Sequence, residues 1–242
     1  MDRAVFFLRA ASTLLLMSAG ALLLLVVAIA TLFRMPRLYR ERIVATLGDM
    51  TLALWGIRLV VHRDGPFPKT QAIYISNHTS TIDLFVLIAL RLPNTRFFLS
   101  GFLRKLLPLG LIGYLIGIFW TVPQSLSEQR TEIFKRAART LRRTGESVYL
   151  SPEGERVTSG EVGHFNKGAF HLATDLRLPI VPLFIAIPRE MDPGKGLHAK
   201  PGTVDVHVKP AIDTSSWRLE DLISNKESVR DLFVAWNREL RI

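Results

Sequence analysis

The 242-residue chain contains no cysteine. Disulfides, a thiolate nucleophile and cysteine-bound zinc are therefore excluded, as is any covalent intermediate on a thiol. The absence fits a reducing compartment. The chain also lacks internal repeats and low-complexity linkers. Acidic residues are outnumbered: 21 Asp and Glu stand against 31 Lys and Arg, for a net charge of +10. A chain that is basic and also 48% hydrophobic suits an anionic membrane surface. Nucleic acid is the other usual partner of a basic chain. Few aromatics interleave with the basic residues as a stacking platform requires, so nucleic acid is not expected.

What the chain does have is a long uncharged run, Ala10 to Phe33, of 24 residues. At about 1.5 Å per residue it is long enough to cross a hydrocarbon core of roughly 30 Å. Arg3 and Arg9 precede it, and Arg34, Arg37, Arg40 and Arg42 follow. The heavier positive side lies downstream, which places the rest of the chain in the cytoplasm, on the inner membrane if the cell is bacterial. A cleaved signal peptide is a competing reading, since Ala28-Ile29-Ala30 resembles a cleavage site. The apolar run is longer than a usual signal core. A helix lying in one leaflet, paired with the segment near residues 42–61, competes with a true span.

Residues 35–64 read as a second, amphipathic helix. Asp64, Gly65, Pro66 and Pro68 mark a break. The expected organisation is a membrane-anchoring unit over 1–64 and a second domain over 65–242. In the latter, short apolar runs alternate with helical stretches. Strands are expected at Ala72–Ser76, Arg96–Ser100, Ile118–Val122, Ser147–Leu150, Ile180–Ile187 and Thr203–Val208. Helices are expected over 83–90, 102–116, 125–144, 165–176 and 217–240. This alternation predicts an α/β fold, with a mostly parallel central sheet flanked by helices and an N-terminal membrane helix or helix pair. Sites in such folds sit just past the carboxyl ends of strands.

Two polar clusters fall at such places. After Ala72–Ser76 come Asn77-His78-Thr79-Ser80-Thr81-Ile82-Asp83. His78 and Asp83 would not share a face of a regular helix. They meet if His78 lies in the loop and Asp83 in the first helical turn. The carboxylate then fixes the imidazole tautomer and leaves the other nitrogen as a base. For Asp83 alone a capping box, Ser80-x-x-Asp83, is an equally simple explanation. After Ser147–Leu150 come Ser151-Pro152-Glu153-Gly154-Glu155-Arg156. Gly154 permits a tight turn, and Arg156 offers a planar fork suited to phosphate. A solvated loop explains that string if it stands alone. His164 and His171 are seven apart, but a zinc site needs further ligands in suitable spacing, and no metal is expected.

Together the clusters resemble the glycerolipid acyltransferase family, which includes the lysophosphatidic acid acyltransferases. Asn77, His78 and Asp83 match its Asn-His-x4-Asp motif. Pro152, Glu153, Gly154 and Arg156 match its Phe-Pro-Glu-Gly-Thr-Arg motif. Phe165-Asn166-Lys167-Gly168-Ala169-Phe170 and Pro179-Ile180-Val181-Pro182 resemble two later segments. The resemblance covers about residues 70–190. Three departures stand out. Ser151 replaces an aromatic and Glu155 a threonine. The stretch Ser100–Gly110 gives the second motif's lysine no clean counterpart. Val122-Pro123-Gln124 stands where the family tends to place an arginine.

The resemblance implies direct acyl transfer from acyl-CoA or acyl carrier protein to 1-acylglycerol-3-phosphate, in phospholipid biosynthesis, with no cofactor. His78 is then the base and Asp83 its orienter. Arg156 binds the acceptor phosphate, helped by Arg104 or Lys105. Glu153 orders the loop or bonds a glycerol hydroxyl, next to Gly154. Leu106–Trp120 is a candidate acyl groove. The alternatives are another lyso-lipid acceptor, such as a lyso-ornithine lipid, or a non-catalytic lipid-binding protein that kept the fold. Outside the motifs, helix 125–144 carries Arg130, Lys135, Arg136, Arg139, Arg142 and Arg143. Arg136, Arg139 and Arg143 share one face, which is solvated, rests on anionic lipid headgroups, or is a dock for an acidic donor.

Overall fold

The computed structural model describes residues 3–63 and 65–240. Asp64 of the expected break, and the first two and last two residues of the chain, lie outside the described residues. Seven strands form one sheet in the order β1-β7-β6-β2-β5-β3-β4. They are β1 (Ile57–Arg63), β2 (Ile73–Ser76), β3 (Thr95–Ser100), β4 (Phe119–Thr121), β5 (Ser147–Leu150), β6 (Ile180–Ala186) and β7 (Gly202–Val208). All pairs are parallel except β6–β7, where Leu183 faces Val208.

Alternate residues of the central strands point to opposite faces, as the strand period of two requires. Ile73, Ile75, Val148, Leu150, Ile180 and Phe184 point to one face. It is covered by α6 (Ser127–Thr144), α7 (Gly168–Leu176) and α8 (Leu222–Leu240), through Leu141, Phe170 and Phe233. Each such buried aromatic or leucine side chain stabilises the fold by roughly 1.5–3 kcal/mol. Tyr74, Tyr149, Val181, Leu183 and Ile185 point to the other face, against α3 (Ala45–Leu54) and α4 (Asp83–Ala89).

Outside that layer lies α1 (Arg3–Ala30), by length and composition able to cross a membrane. Met17, Ala21, Leu24 and Ala28 pack on Tyr39, Val44, Leu47 and on Ile112 of α5 (Leu109–Leu115). The opposite stripe, including Leu15, Leu22 and Val26, is exposed. A short turn, α2 (Pro36–Leu38), and a π-helical segment (Tyr39–Val44) lead into α3. Trp55 donates to Thr13 at 3.0 Å, and the Thr31 and Tyr39 hydroxyls bond one another. The two helical segments therefore run antiparallel along each other.

Six strands fall where the sequence places them, to within two residues. Two expectations are corrected. The helix expected over 35–64 ends at Leu54, and residues 57–63 form strand β1 beside β7. Gly56, at a φ of +70°, terminates the helix there. The helix expected over 102–116 is broken into a 3-10 turn at Leu103–Lys105 and α5. Pro108 stands at the break, its ring incompatible with an uninterrupted helix through that position.

Candidate active site

The parallel strands β2 and β5 end side by side, with Ile75 in register with Leu150. Both polar clusters therefore emerge at the same edge. Asn77 fixes the first. Its side chain donates to the Ile185 carbonyl at 2.9 Å and accepts from the Ile185 N–H at 2.8 Å, fastening the loop to β6.

His78 lies in the loop and Asp83 opens α4. The imidazole Nδ1 is 2.8 Å from Asp83 Oδ2. The same oxygen accepts the backbone N–H groups of Thr79 and Ser80 at 2.9 and 3.0 Å. The capping role and the orienting role thus coincide in one carboxylate oxygen. Asp83 is 0% exposed, and its Oδ1 has no partner among the described residues. The His78 side chain is 30% exposed. With Nδ1 turned to the carboxylate, Nε2 faces outward without a hydrogen bond among the described residues.

The second cluster folds over the first. Glu153 is 3% exposed. Its Oε2 accepts the His78 backbone N–H at 2.5 Å and its Oε1 the Gly163 N–H at 2.7 Å. Burial pushes its carboxyl up to about 7; the N–H groups of Gly163 and His78 and the nearby imidazole pull the other way without cancelling it. Gly154 has a φ of +72°, and a Cβ there would meet Asn166 at 2.7 Å and Gln124 at 3.0 Å. Only glycine fits that turn without strain. Asn166 closes the turn by donating to the carbonyls of Pro152 and Glu153. Arg156 is half-buried and donates to the Thr81 hydroxyl, which itself donates to the Gly194 carbonyl at 3.1 Å.

Thr81 lines a cavity of about 320 Å³. Its walls come from α1 (Ala10, Thr13, Leu14, Met17), Phe85, Leu106–Leu109 and the Leu197 loop. Met17, Phe85 and Leu109 separate it from a second space of about 40 Å³ lined by Ile112, Ile116, Ile118 and Trp120. The stretch Leu106–Trp120 therefore lines both.

His78, Asp83, Glu153, Gly154 and Arg156 are thus brought together. Arg104 and Lys105 stand on the Leu103–Lys105 turn, exposed and without a side-chain partner among the described residues. Thr81 joins Arg156 to the cavity. No sequence signal marked Gly163, which lies in an irregular loop. Among the described residues no group of three His, Asp or Glu side chains is placed to hold a metal ion. On α6, Arg130 donates to the Val122 carbonyl, Lys135 pairs with Glu132 and Arg142 with Asp175. Arg136, Arg139 and Arg143 stay exposed, on the sheet face opposite α1.

The chain is thus a three-layer α/β fold with an oriented histidine at the carboxyl edge of its parallel strands, three residues before the threonine that lines an apolar cavity. The Acyltransferase family matches residues 58–186, more than half of the chain, and the protein belongs to that family. The 1-acyl-sn-glycerol-3-phosphate acyltransferase alpha of Mus musculus is 30% identical over 192 residues, covering 77% of this chain and 66% of that protein. The beta form of Homo sapiens is 33% identical over 172 residues, covering 69% and 60%. The match thus spans just under two thirds of these relatives' length. The crystal structure of the 1-acyl-sn-glycerophosphate (LPA) acyltransferase from Thermotoga maritima shares the fold. Its TM-score is 0.71 at 20% identity, covering 96% of this chain and 97% of that one.

Proposed function

We propose that the protein transfers a fatty acyl group from a thioester, acyl-CoA or acyl carrier protein, to the free hydroxyl of 1-acylglycerol-3-phosphate, forming phosphatidic acid. The observation that carries this reading is the His78–Asp83 pair at 2.8 Å, with the imidazole 30% exposed and its Nε2 free of any hydrogen bond among the described residues. His78 Nε2 takes the hydroxyl proton as the oxygen attacks the thioester carbonyl. Asp83 stabilises the imidazolium. Collapse of the tetrahedral intermediate expels the thiolate, which recovers the proton from His78. Acid–base catalysis of this kind contributes about 10²–10⁴-fold. The thioester is a substrate in this scheme, and no bound cofactor takes part.

Arg156 receives the acceptor phosphate. Among the described residues its hydrogen bond is to the Thr81 hydroxyl, so most of its five donors are left for an anion. Arg104 and Lys105 add positive charge from the 103–105 turn, and the Glu153-Gly154 turn borders the headgroup. The acyl chains occupy the cavity. Access from lipid is supported by its rim, where Leu14, Leu107 and Leu197 are exposed, Leu107 by 79%. The antiparallel packing of α1 on residues 39–55 favours a helical pair lying in one leaflet over an isolated span. We place that leaflet on the cytoplasmic side, the inner membrane in a bacterial cell, from the downstream arginines.

The test is to incubate purified protein with a labelled acyl thioester and a panel of lyso-lipids. Phosphatidic acid as the dominant product supports the reading. Preferential acylation of a lyso-ornithine lipid or a larger headgroup reassigns the acceptor, and no product with any of them overturns acyl transfer.

A further inference from the structure

Residues 157–165 cross the active-site edge without helix or strand, yet they make one direct contact to the backbone of the base and a second through Glu153. The Val157 N–H donates to the His78 carbonyl at 2.8 Å. The Gly163 N–H donates to Glu153 Oε1 at 2.7 Å, and Glu153 Oε2 accepts the His78 N–H at 2.5 Å. His78 is therefore held at its carbonyl by this strap directly and at its amide through Glu153. An irregular segment cannot hold such geometry from its own backbone bonds, so something must hold the strap.

That anchor is α8. Arg230 donates from Nε to the Gly163 carbonyl at 2.7 Å and from Nη2 to the Val162 carbonyl at 2.9 Å. Two turns later on the same helix, Asn237 donates to the Gly160 carbonyl at 3.0 Å. The helix is itself fixed in the core by Val229 and Phe233, the latter with its ring 5.4 Å from that of Phe165 at the end of the strap. A guanidinium spanning two consecutive carbonyls sets the plane of the intervening peptide. The Gly163 N–H is thereby aimed at Glu153.

We infer that Arg230 is a positioning residue for the transfer: through Gly163 and Glu153 it fixes the backbone of His78, so that the C-terminal helix holds the catalytic base in register. The inference rests on the acyl-transfer reading above. Arg230 touches no substrate. Its loss acts on the geometry of the base, where small displacements are costly in rate.

Arg230→Gln should lower kcat about 10-fold while both KM values stay within about twofold. Arg230→Lys, which can still reach one carbonyl, should recover part of the loss. Asn237→Ala, which frees the strap at only one point, should cost about 2–3-fold. The decisive comparison is a double-mutant cycle with Glu153→Gln. If Arg230 acts through Glu153, adding Arg230→Gln to Glu153→Gln lowers kcat no further. Full multiplication of the two losses overturns the inference. Independently of turnover, the ¹⁵N imidazole signals of His78 should shift in Arg230→Gln and stay in place in Arg238→Gln, a surface control. Should Arg230→Gln not fold, Arg230→Lys and Asn237→Ala carry both readouts, and wild-type kcat and unmoved His78 signals in both overturn the strap. Wild-type protein that acylates no lyso-lipid overturns the reaction, and the His78 signals then still decide the strap.

Discussion

Two glutamates bracket strand β5, Glu146 just before it and Glu153 just after, and they are 4% and 3% exposed. Their surroundings differ in kind. Glu146 meets Arg40 at 2.6 Å and Arg96 at 2.5 Å. Burial works against its charge, but the two guanidiniums overcome that cost and hold its carboxyl below the ordinary range. Those arginines are held on a second side as well: Arg40 also donates to the Ile116 carbonyl and Arg96 to that of Gly117. The cluster ties the π-helical segment before α3 to the sheet and to the Ile116–Gly117 turn. Glu153 has two backbone N–H groups and, among the described residues, no cation in hydrogen-bond contact, and burial leaves its carboxyl at about 7. The same residue type at the same depth is a fastener at one end of the strand and a titrating group beside the base at the other. The number of full charges facing it decides which.

Breaking the fastener should produce the largest effect on stability. Glu146→Ala leaves Arg40 buried without its counter-charge and should cost about 3–5 kcal/mol in denaturant unfolding. The kcat per folded molecule should stay within about twofold.

The corresponding change at the other end sharpens the contrast. Glu153→Gln retains one acceptor oxygen for two N–H groups and should lower kcat about 10–100-fold. Its stability effect depends on pH. A carboxyl raised from 4.5 to about 7 contributes stability that is present below its ordinary range and lost as pH rises through 7. Glutamine lacks that dependence. Relative to wild type, Glu153→Gln should therefore gain up to about 3 kcal/mol between pH 4 and pH 8, at 1.36 kcal/mol per pKa unit. Thermal unfolding of both proteins across that range checks it.

The arginines extend the comparison. Arg156→Ala should raise acceptor KM about 10-fold with little change for the donor, and Arg156→Lys should also be costly, since lysine cannot form the bidentate pair. A selective rise in donor KM would move Arg156 to the thioester side. The smallest effect is expected on α6, where Arg139 and Arg143 are exposed and unpaired among the described residues. Reversing both to glutamate should raise donor KM about 2–5-fold at low salt and less at high salt, because exposed charges are screened beyond roughly 8 Å at physiological ionic strength.

How much of this was legible in the sequence follows the range of each interaction. The strands that carry the site, Ile73–Ser76 and Ser147–Leu150, are short, apolar and fully buried, and their pattern is local. The His78 and Asp83 spacing is equally local, and the loop-then-helix geometry it needs is the one found. Strand β1 escaped notice because Ile57–Arg63 continues an amphipathic pattern without a proline, its outer half is exposed, and only Gly56 marks the change. The antiparallel turn of β7 against β6 left no local mark. Nor did the bond between Glu153 and the His78 amide, which joins positions 75 apart. Arg230 likewise lies 67 positions from the loop residue it holds, in a helix whose visible pattern is simply that of core packing.

The account stands on His78 as the base. The most direct measurement is single-turnover acyl transfer from labelled thioester to 1-acylglycerol-3-phosphate by wild type, His78→Ala and Asp83→Asn, each purified and checked for fold and membrane binding. The account predicts phosphatidic acid from wild type and rates lower by about 10²–10⁴-fold in both variants, with fold and attachment intact. A near-wild-type rate in either folded variant would contradict it.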